Sequence, residues 1–398
     1  MIQTTKCIKE KDLLKKYEVG DFFLASPNQT ILGKGQYAFI HENVQNGNFP
    51  EHVRALLNEA KQDGVENPIA VGAIPFDYRK PIKLIIPKQT IVTSKYERND
   101  ELRHKEDAVT YEFKFIPEPS EYMHGVKKGI KKISSGQLDK IVVGRILELT
   151  SSSKVNVSNI LRNLSKHNTL GYTFAADITE QTMHEKNELM KKTIIGASPE
   201  LLVSKKGDHI FANPLAGSRP RSKDPIEDER RAKELLESQK DLSEHAVVVK
   251  AVKKSLEAMC KSLIVPEKPS LIQTEAMWHL STEITGELKD TSISSLTLAK
   301  IMHPTPAVCG SPTEKAREEI CEIEPFDREY FTGIIGWCDQ NGDGEWVVTI
   351  RCAEVQDNTL RLFAGAGIMS DSKPEDELAE TSAKFRTMLS AMNLNNYL

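Results

Sequence analysis

Two short acidic motifs, far apart in the sequence, each place a pair of carboxylates one helical turn apart. Asp241 and Glu244 lie in a Lys-Asp-Leu-Ser-Glu-His segment, and Glu377 and Glu380 lie in a Glu-Leu-Ala-Glu-Thr segment. Residues three apart on a helix share a face, so each motif directs both carboxylates to one side. If the two faces meet, a cation must hold the negative charge together, and oxygen-only ligands suit Mg²⁺. The alternative is that each pair lies on an ordinary solvated helix face.

Further clusters place polar groups at predicted turns and strand ends. A Gly-Ala-Ser-Pro-Glu segment puts a carboxylate between two strands, and a Leu-Ala-Gly-Ser turn could bring backbone N–H groups close to an anion. A proline-fixed loop carries an imidazole, and an arginine lies in an apolar strand, where an unpaired charge is costly. Glycines at one strand end allow close backbone approach. The residues concerned are Glu200, Gly217, Ser218, His303, Arg351 and Gly365.

Helices and strands must position these groups, and periodicity predicts where they lie. Residues 226–262 hold the longest helical pattern and carry the first acidic pair, while Pro374 opens a last helix that carries the second. Residues 22–41 are predicted to form a hairpin around Gly33 to Gly35, and residues 94–122 a surface crossing. Strands are predicted at 140–149, 171–176, 192–196, 201–204, 345–353 and 360–365. The pattern predicts an α+β fold around large sheets, as one intertwined domain.

Composition narrows the class of protein. The 398-residue chain can bury a large core, and its net charge of −4 with no dominant basic block argues against nucleic acid as a partner. The first residues lack the apolar stretch of a signal peptide, and no run approaches the ~18 apolar residues of a membrane span. The six cysteines show no zinc-type spacing and indicate reduced thiols. We therefore expect a cytoplasmic protein that acts on a small molecule.

Five motifs stand in a fixed order along the chain: Leu138-Asp-Lys-Ile-Val-Val-Gly-Arg145, Lys240-Asp-Leu-Ser-Glu-His245, Trp278-His-Leu280, Gly344-Glu-Trp-Val-Val-Thr-Ile-Arg351 and Phe363-Ala-Gly-Ala-Gly-Ile368. This set resembles the chorismate-utilising enzymes, and most closely the isochorismate synthases of siderophore pathways. The resemblance is densest from residue 138 onward. It implies two large antiparallel sheets in a sandwich with helices outside, the fold of anthranilate synthase component I. It also implies a single chorismate-binding domain over 1–398, in which 1–125 completes the sheets and 126–398 carries the catalytic core.

The resemblance assigns catalytic roles to two residues. Family members that add ammonia to chorismate carry glutamine where this chain has Lys140, and those that add water carry lysine. Lys140 is therefore implied as the base that activates water for attack at C2, and Glu200 as the acid that protonates the departing C4 hydroxyl. Taken alone, Lys140 would be a solvated lysine at a strand start, and Glu200 a strand-end carboxylate that caps a backbone group.

Metal and substrate ligands are implied in the same way. Mg²⁺ would be bound directly by Glu244 and Glu380, with Asp241 and Glu377 holding metal-bound waters around it. Arg351 is implied as the partner of the enolpyruvyl carboxylate, for which its planar fork is suited. Its alternative is a structural ion pair with a neighbouring strand. The other substrate-binding residues implied are Gly217, Ser218, His303, Gly365 and Lys384.

The sequence thus predicts a Mg²⁺-dependent isochorismate synthase, which adds water at C2 of chorismate and removes the C4 hydroxyl. The product would feed 2,3-dihydroxybenzoate and catecholate siderophores. Two alternatives stay open: a salicylate synthase, which also eliminates pyruvate, and a menaquinone-branch isochorismate synthase. A non-catalytic protein that kept the fold would be expected to lack one of Lys140, Glu200, Glu244 or Glu380. The implied substrate is chorismate, the implied functional successor is an isochorismatase, and family precedent favours a monomer.

Overall fold

A computed structural model of the chain describes residues 13–43, 48–94, 109–168, 171–179 and 191–394. The strands are β1 (Phe22–Ala25), β2 (Gln29–Lys34), β3 (Ala38–Ile40), β4 (Ile69–Ile74), β5 (Lys83–Ile86), β6 (Gln89–Ser94), β7 (Tyr111–Ile116), β8 (Lys140–Ser151), β9 (Tyr172–Asp177), β10 (Lys192–Ser198), β11 (Leu201–Lys206), β12 (His209–Asn213), β13 (Leu215–Pro220), β14 (Cys260–Ile264), β15 (Ser270–Gln273), β16 (Met277–Ser281), β17 (Ile284–Leu288), β18 (Gly310–Ser311), β19 (Ile334–Asp339), β20 (Gly344–Val348), β21 (Cys352–Gln356) and β22 (Thr359–Ile368). The helices are α1 (Leu13–Lys16), α2 (Phe49–Gln62), α3 (Pro119–Ser134), α4 (Val157–His167), α5 (Pro225–Glu237), α6 (Gln239–Glu257), α7 (Ser295–Met302), α8 (Thr313–Ile323) and α9 (Pro374–Ala391).

Two large antiparallel sheets contain most of these strands. The ten-stranded sheet has the order β18-β8-β22-β21-β10-β9-β1-β2-β6, and β7 also pairs with β8. The nine-stranded sheet has the order β14-β17-β12-β11-β20-β19-β4-β5-β3, and a third sheet has the order β13-β16-β15. The β8–β22 pair has the longest register, in which Gly144 lies opposite Gly365.

Apolar side chains cover both faces of each large sheet. One buried cluster joins Phe22 and Phe174 of the ten-stranded sheet to Val71 and Val347 of the nine-stranded sheet, so it fills the space between them. A second cluster packs α4 and α9 on the outer face of the ten-stranded sheet. A third packs α2, α6 and α7 on the nine-stranded sheet. Because strand residues alternate between two apolar layers, β8 is apolar along most of its length. The predicted sandwich with outer helices is confirmed.

The single long helix predicted over 226–262 is wrong. Helix α5 ends at Glu237, α6 begins at Gln239, and the last residues of the range belong to β14. Ser238 causes the break, because its hydroxyl accepts a hydrogen bond from Asp241 N at 3.3 Å and so caps the start of α6. Asp241 therefore lies in the first turn of α6, and Glu244 lies one turn further along the same face.

The hairpin predicted over 22–41 is also wrong. Strand β1 pairs with β2 through a turn at residues 26–28, and β3 joins the other large sheet beside β5. The turn is stabilised by Ser26, whose hydroxyl accepts hydrogen bonds from Asn28 N and Gln29 N. Polar side chains, not the predicted glycines, therefore set the turn.

Two segments pass from one large sheet to the other, and they lie side by side. Residues 199–200 connect β10 to β11, and residues 349–351 connect β20 to β21. Val348 N donates to Glu200 O at 3.1 Å, and Ala197 N donates to Arg351 O at 3.0 Å. We call these two hydrogen-bonded crossings the sheet seam.

The sequence predicted one continuous strand over 345–353, with Arg351 inside it, and this prediction is wrong. Strand β20 ends at Val348, and Arg351 adopts φ +51°, a left-handed conformation that is uncommon for a residue with a side chain. This backbone turn redirects the chain into the second sheet. Arg351 therefore lies at a junction and not in a ladder.

Several smaller expectations can be compared with the fold. Part of the predicted surface crossing, residues 95–108, lies outside the described residues, whereas Tyr111–Ile116 forms β7 on the edge of β8. The five cysteines in the described ranges form no disulfide bond, and Cys7 lies outside those ranges. Within the described ranges, no helix combines the length and apolar character needed to span a membrane.

Candidate active site

A pocket of about 650 Å³, including its open mouth, lies at the sheet seam. Its wall also includes residues of β8, β22, α6, α9 and the three-stranded sheet. The fold thus brings together groups that are far apart in the sequence. The predicted site residues that line it are Glu200, Gly217, Ser218, Glu244, Arg351, Gly365, Glu380 and Lys384.

Lys140 begins β8 and lies behind the pocket wall, with no exposed surface. Its Nζ lies 2.8 Å from Glu244 Oε1, and this carboxylate lines the pocket. A buried ammonium group requires such a partner, because its charge is otherwise uncompensated. The alternative of a solvated lysine at a strand start is therefore wrong.

Gly367 makes room for the Lys140–Glu244 ion pair. A Cβ atom built at position 367 would collide with Glu244 Oε1 and would lie 2.9 Å from Lys140 Cε. Both atoms are near the ends of flexible side chains, so a larger residue would displace them and leave the backbone in place. A glycine at this position thus lets two charged groups from β8 and α6 meet.

Glu200 lies in the sheet seam between β10 and β11, and only 3% of it is exposed. Burial raises the pKa of its carboxyl to about 7, although the Leu215 backbone N–H and nearby cations oppose the shift. Those cations are Lys140, Lys384 and Arg351. Glu200 is therefore a carboxyl that holds its proton near neutral pH, as a general acid requires. Its contact with Leu215 N is long, at 3.5 Å, so capping is a minor role.

Arg351 faces the pocket from the seam and is buried. Its NH2 donates to Nε2 of His279 at 3.1 Å, while NH1 is buried without a hydrogen-bond partner among the described residues. Burial lowers the pKa of Arg351 to about 10, so its guanidinium is still charged at neutral pH. A buried donor without a partner is costly, and a carboxylate bound in the pocket would satisfy it. The alternative of a structural ion pair with a neighbouring strand finds no partner among the described residues.

His279 holds the guanidinium of Arg351 as a neutral acceptor. Burial, followed by the charges of Arg351 and Lys384, lowers the pKa of His279 well below its usual value. The backbone of Gly217 hydrogen-bonds the ring, which leaves Nε2 free to accept from Arg351. The Trp-His-Leu motif was conspicuous in the sequence, but nothing in it assigned this histidine a role.

Each of the four predicted metal carboxylates lies next to a basic side chain. Glu244 pairs with Lys140, and Glu380 pairs with Lys384 at 2.6 Å and accepts from Ser218 Oγ at 3.0 Å. Neither Asp241 nor Glu377 lines the pocket. These two pair instead with Arg219 at 2.7 Å and with Lys240 at 2.5 Å, respectively.

The carboxylates fit a hard cation that needs few protein ligands. Within the described ranges, no group of three or more His, Cys, Asp or Glu side chains has the spacing of a metal site. Glu244 and Glu380 nevertheless present carboxylate oxygens to one pocket, and Mg²⁺ often takes only one or two carboxylates besides water and a ligand anion. Burial, and then the charge of Glu380, raises the pKa of Glu377 to about 7.

The remaining predicted residues differ in position. Gly217 has φ +79°, and a Cβ atom there would come within 3.0 Å of Asp241 Cβ, so the position favours glycine. Lys384 Nζ donates to Gly365 O at 2.7 Å and so ties α9 to β22. His303 is not brought into the pocket. It lines a separate cavity, and its Nε2 donates to Thr332 O at 2.8 Å. Of these two residues, Thr332 lines the pocket and His303 does not.

Comparison with known proteins extends the motif resemblance to nearly the whole chain. A family model described as chorismate binding enzyme matches residues 81–393. Isochorismate synthase DhbC of Bacillus subtilis is 51% identical, over 98% of this chain and 97% of that protein. The vibriobactin-specific isochorismate synthase of Vibrio cholerae is 42% identical, over 95% of this chain and 93% of that protein. The crystal structure of DhbC from Bacillus anthracis superposes with a TM-score of 0.90 at 55% identity, covering 97% of this chain and 100% of that one.

The raised pKa of Glu200 predicts a pH-dependent gain in stability for Glu200→Gln. As pH rises from 4.5 to about 7, the unfolded chain loses this proton and the folded chain keeps it, so wild-type stability falls. A shift of this size corresponds to about 3 kcal/mol. Urea unfolding should therefore show that the free energy of unfolding of Glu200→Gln rises relative to that of wild type between pH 5 and pH 8. Glu229→Gln, an exposed control on α5, should show no such change. An equal gain at both pH values would contradict the assignment.

Gly367→Ala should displace the Lys140–Glu244 pair while leaving the fold intact, and if Glu244 is a Mg²⁺ ligand, as the sequence predicts, Mg²⁺ binding should weaken. The new methyl group collides only with side-chain ends, so the chain should still fold, but its unfolding temperature should fall because a buried ion pair is disturbed. Isothermal titration with Mg²⁺ should show an affinity loss on the order of 10-fold. Gly129→Ala on α3 is the matched control, because its new methyl group also meets only side chains, the nearest atom being Ile141 Cγ2 at 3.0 Å, and it lies outside the pocket. Equal Mg²⁺ affinities in the two variants would show that Gly367 does not serve the carboxylate.

Proposed function

This chain belongs to the chorismate-binding enzyme family, and we propose that it is an isochorismate synthase, an isomerase that interconverts chorismate and isochorismate. Its relatives include DhbC and a vibriobactin-specific enzyme. The isochorismate would accordingly feed 2,3-dihydroxybenzoate and catecholate siderophore synthesis.

Lys140 and Glu200 divide the proton transfers between them. Lys140 must first give up the proton of the ammonium form that pairs with Glu244; as the neutral amine it then takes a proton from water while the water oxygen bonds to C2 of chorismate. The ring double bonds shift, the C4–O bond breaks, and Glu200 gives its proton to the departing hydroxyl, which leaves as water. One water is added and one is lost, so the reaction is an isomerisation. Lys140 ends protonated and Glu200 ionised, which are the states that the reverse reaction requires.

The other pocket residues hold the substrate anions. The unpartnered NH1 of Arg351 would bind the enolpyruvyl carboxylate, and His279 fixes the plane of the guanidinium. Gly217, Ser218, Gly365 and Lys384 would position the ring and its carboxylate. Glu244 and Glu380 would bind Mg²⁺, with Asp241 and Glu377 around them. When bound, Mg²⁺ supplies positive charge that orients the ring carboxylate and stabilises charge developing there.

One observation supports this proposal most directly. A buried carboxyl whose pKa is about 7 and a buried lysine on the first residue of β8 serve the same pocket. General acid–base catalysis at neutral pH needs this combination of a protonated acid and a shielded amine. Relatives that add ammonia carry glutamine in place of Lys140, so the lysine favours water as the nucleophile.

Two further features are part of the proposal. The chain acts as a monomer, and it passes isochorismate to a separate isochorismatase without a required physical complex. Light scattering after size-exclusion chromatography should give the mass of one 44.6 kDa chain. A dimer at working concentrations would contradict the first feature.

Purified protein incubated with chorismate should form isochorismate only when Mg²⁺ is present. Chromatography of the products, with a coupled pyruvate assay, measures the reaction and its main competitor together. Chelation by EDTA should abolish turnover, and added Mg²⁺ should restore it. Salicylate with stoichiometric pyruvate would assign the protein to the salicylate synthases. Binding of chorismate and Mg²⁺ without turnover would reduce it to a binding protein.

Glu200→Gln and Lys140→Met should each lower kcat on the order of 10²–10⁴-fold. In wild type, kcat/KM for chorismate should fall as pH rises through about 7, because Glu200 then loses the proton it must donate. Burial raises the pKa of Glu200 to this value, the cations Lys140, Lys384 and Arg351 oppose the shift, and the fall should be missing in Glu200→Gln. Glu229→Gln and Lys233→Met, both exposed on α5, are the matched controls. An unchanged fall in Glu200→Gln would assign the acid to another residue.

A further inference from the structure

Arg145 is a buried cation for which the proposed mechanism has no use. It lies in β8 with 1% of its surface exposed. Among the described residues no carboxylate pairs with it, although buried arginines usually need one. Its partners are neutral, so its place in the fold requires another explanation.

The hydrogen bonds of Arg145 all run to one turn of α9. Its Nε donates to Thr381 Oγ1 at 2.8 Å, and its NH2 donates to Ser382 Oγ at 2.5 Å and to Leu378 O at 3.3 Å. Both hydroxyls donate in turn to Leu378 O, at 2.9 Å each. The guanidinium, two hydroxyls and one carbonyl thus form a closed network on the surface of the helix.

Three aromatic rings enclose the same guanidinium. The carbon at its centre lies 5.1 Å from the ring of Phe115, 5.5 Å from Tyr122 and 5.2 Å from Phe385. These rings come from β7, α3 and α9, and their faces attract a cation. The enclosure fixes the position of the guanidinium and therefore the position of the helix turn that it holds.

The turn held by Arg145 is the one that carries the pocket residues of α9. Leu378 follows Glu377 and Thr381 follows Glu380 in the sequence, and Lys384 lies two residues beyond Ser382 on the same helix. At the other end, Arg145 belongs to the same strand as Lys140. We propose that Arg145 is a positioning residue that fixes the first half of α9 against β8, and thereby sets Glu380 and Lys384 relative to the Lys140–Glu244 pair.

This inference depends on the proposed function for its catalytic meaning, but its structural part can be tested without turnover. Arg145→Lys keeps the charge but cannot reach both hydroxyls with a planar fork. Arg145→Met keeps the apolar stem and removes every donor. Ser382→Ala removes one acceptor and is the mildest change, so it remains informative if an arginine variant fails to fold.

In both arginine variants, hydrogen exchange of amides in residues 377–384 should be faster than in wild type. Amides of residues 386–391 should exchange as before. Isothermal titration should show Mg²⁺ affinity reduced 10- to 100-fold, the usual loss when a residue that orients a metal ligand is removed. Ser382→Ala should give a smaller loss in the same direction. In turnover, kcat should fall more than KM rises, because α9 carries groups needed for the reaction itself.

Leu389→Ala is the control for general destabilisation. Leu389 lies near the end of α9, two turns beyond the residues that Arg145 holds, and packs in the buried cluster on the outer face of the ten-stranded sheet. It should lower the unfolding temperature and leave Mg²⁺ affinity within twofold of wild type. The inference is overturned if the arginine variants keep the Mg²⁺ affinity and the amide exchange rates of wild type. It is also overturned if Leu389→Ala lowers Mg²⁺ affinity as much as the arginine variants do. If the wild-type protein makes no isochorismate, only the proposed function is contradicted. Amide hydrogen exchange and Mg²⁺ titration would still decide the role of Arg145.

Discussion

The pocket depends on the sheet seam, where two chain segments cross between the large sheets side by side and in opposite directions. Each crossing is hydrogen-bonded to its neighbour, through Val348 N with Glu200 O and Ala197 N with Arg351 O. The same crossings carry the acid and the guanidinium of the site. Because the backbone of both sheets passes through this point, the separation of Glu200 from Arg351 is set by sheet geometry and not by a loop. Helices α6 and α9 then need only bring their carboxylates to a wall that is already fixed.

Burial at the seam also explains the protonation states. The same removal from water raises the pKa of Glu200 to about 7, lowers that of Arg351 to about 10 and keeps His279 neutral. Burial disfavours the charged form of every group, so an acid keeps its proton and a histidine loses its own. Arg351 stays charged at neutral pH because its ordinary pKa is so high. One environment therefore produces an acid, a neutral acceptor and a cation.

Local features of the site followed from the sequence, and features that depend on distant packing did not. The acidic pairs on α6 and α9 were predictable, since residues three apart on a helix share a face whatever the helix packs against. The end of β20 before Arg351 could not be predicted, because it depends on where the chain crosses from one large sheet to the other. His279 and His303 were equally conspicuous in the sequence. Only the fold shows that the first contacts Arg351 and that the second lies behind Thr332.

The three-stranded sheet forms one wall of the pocket, and this wall can change its structure independently of the two large sheets. Strands β13, β16 and β15 pair only with one another among the described strands, and they carry Gly217, Ser218 and His279. Their ladder can open or change without breaking a hydrogen bond of either large sheet. Substitutions there would alter how a ligand is held at little cost to the sandwich. Ligand preference can therefore diverge along this wall during evolution, while the seam that supplies the acid resists change.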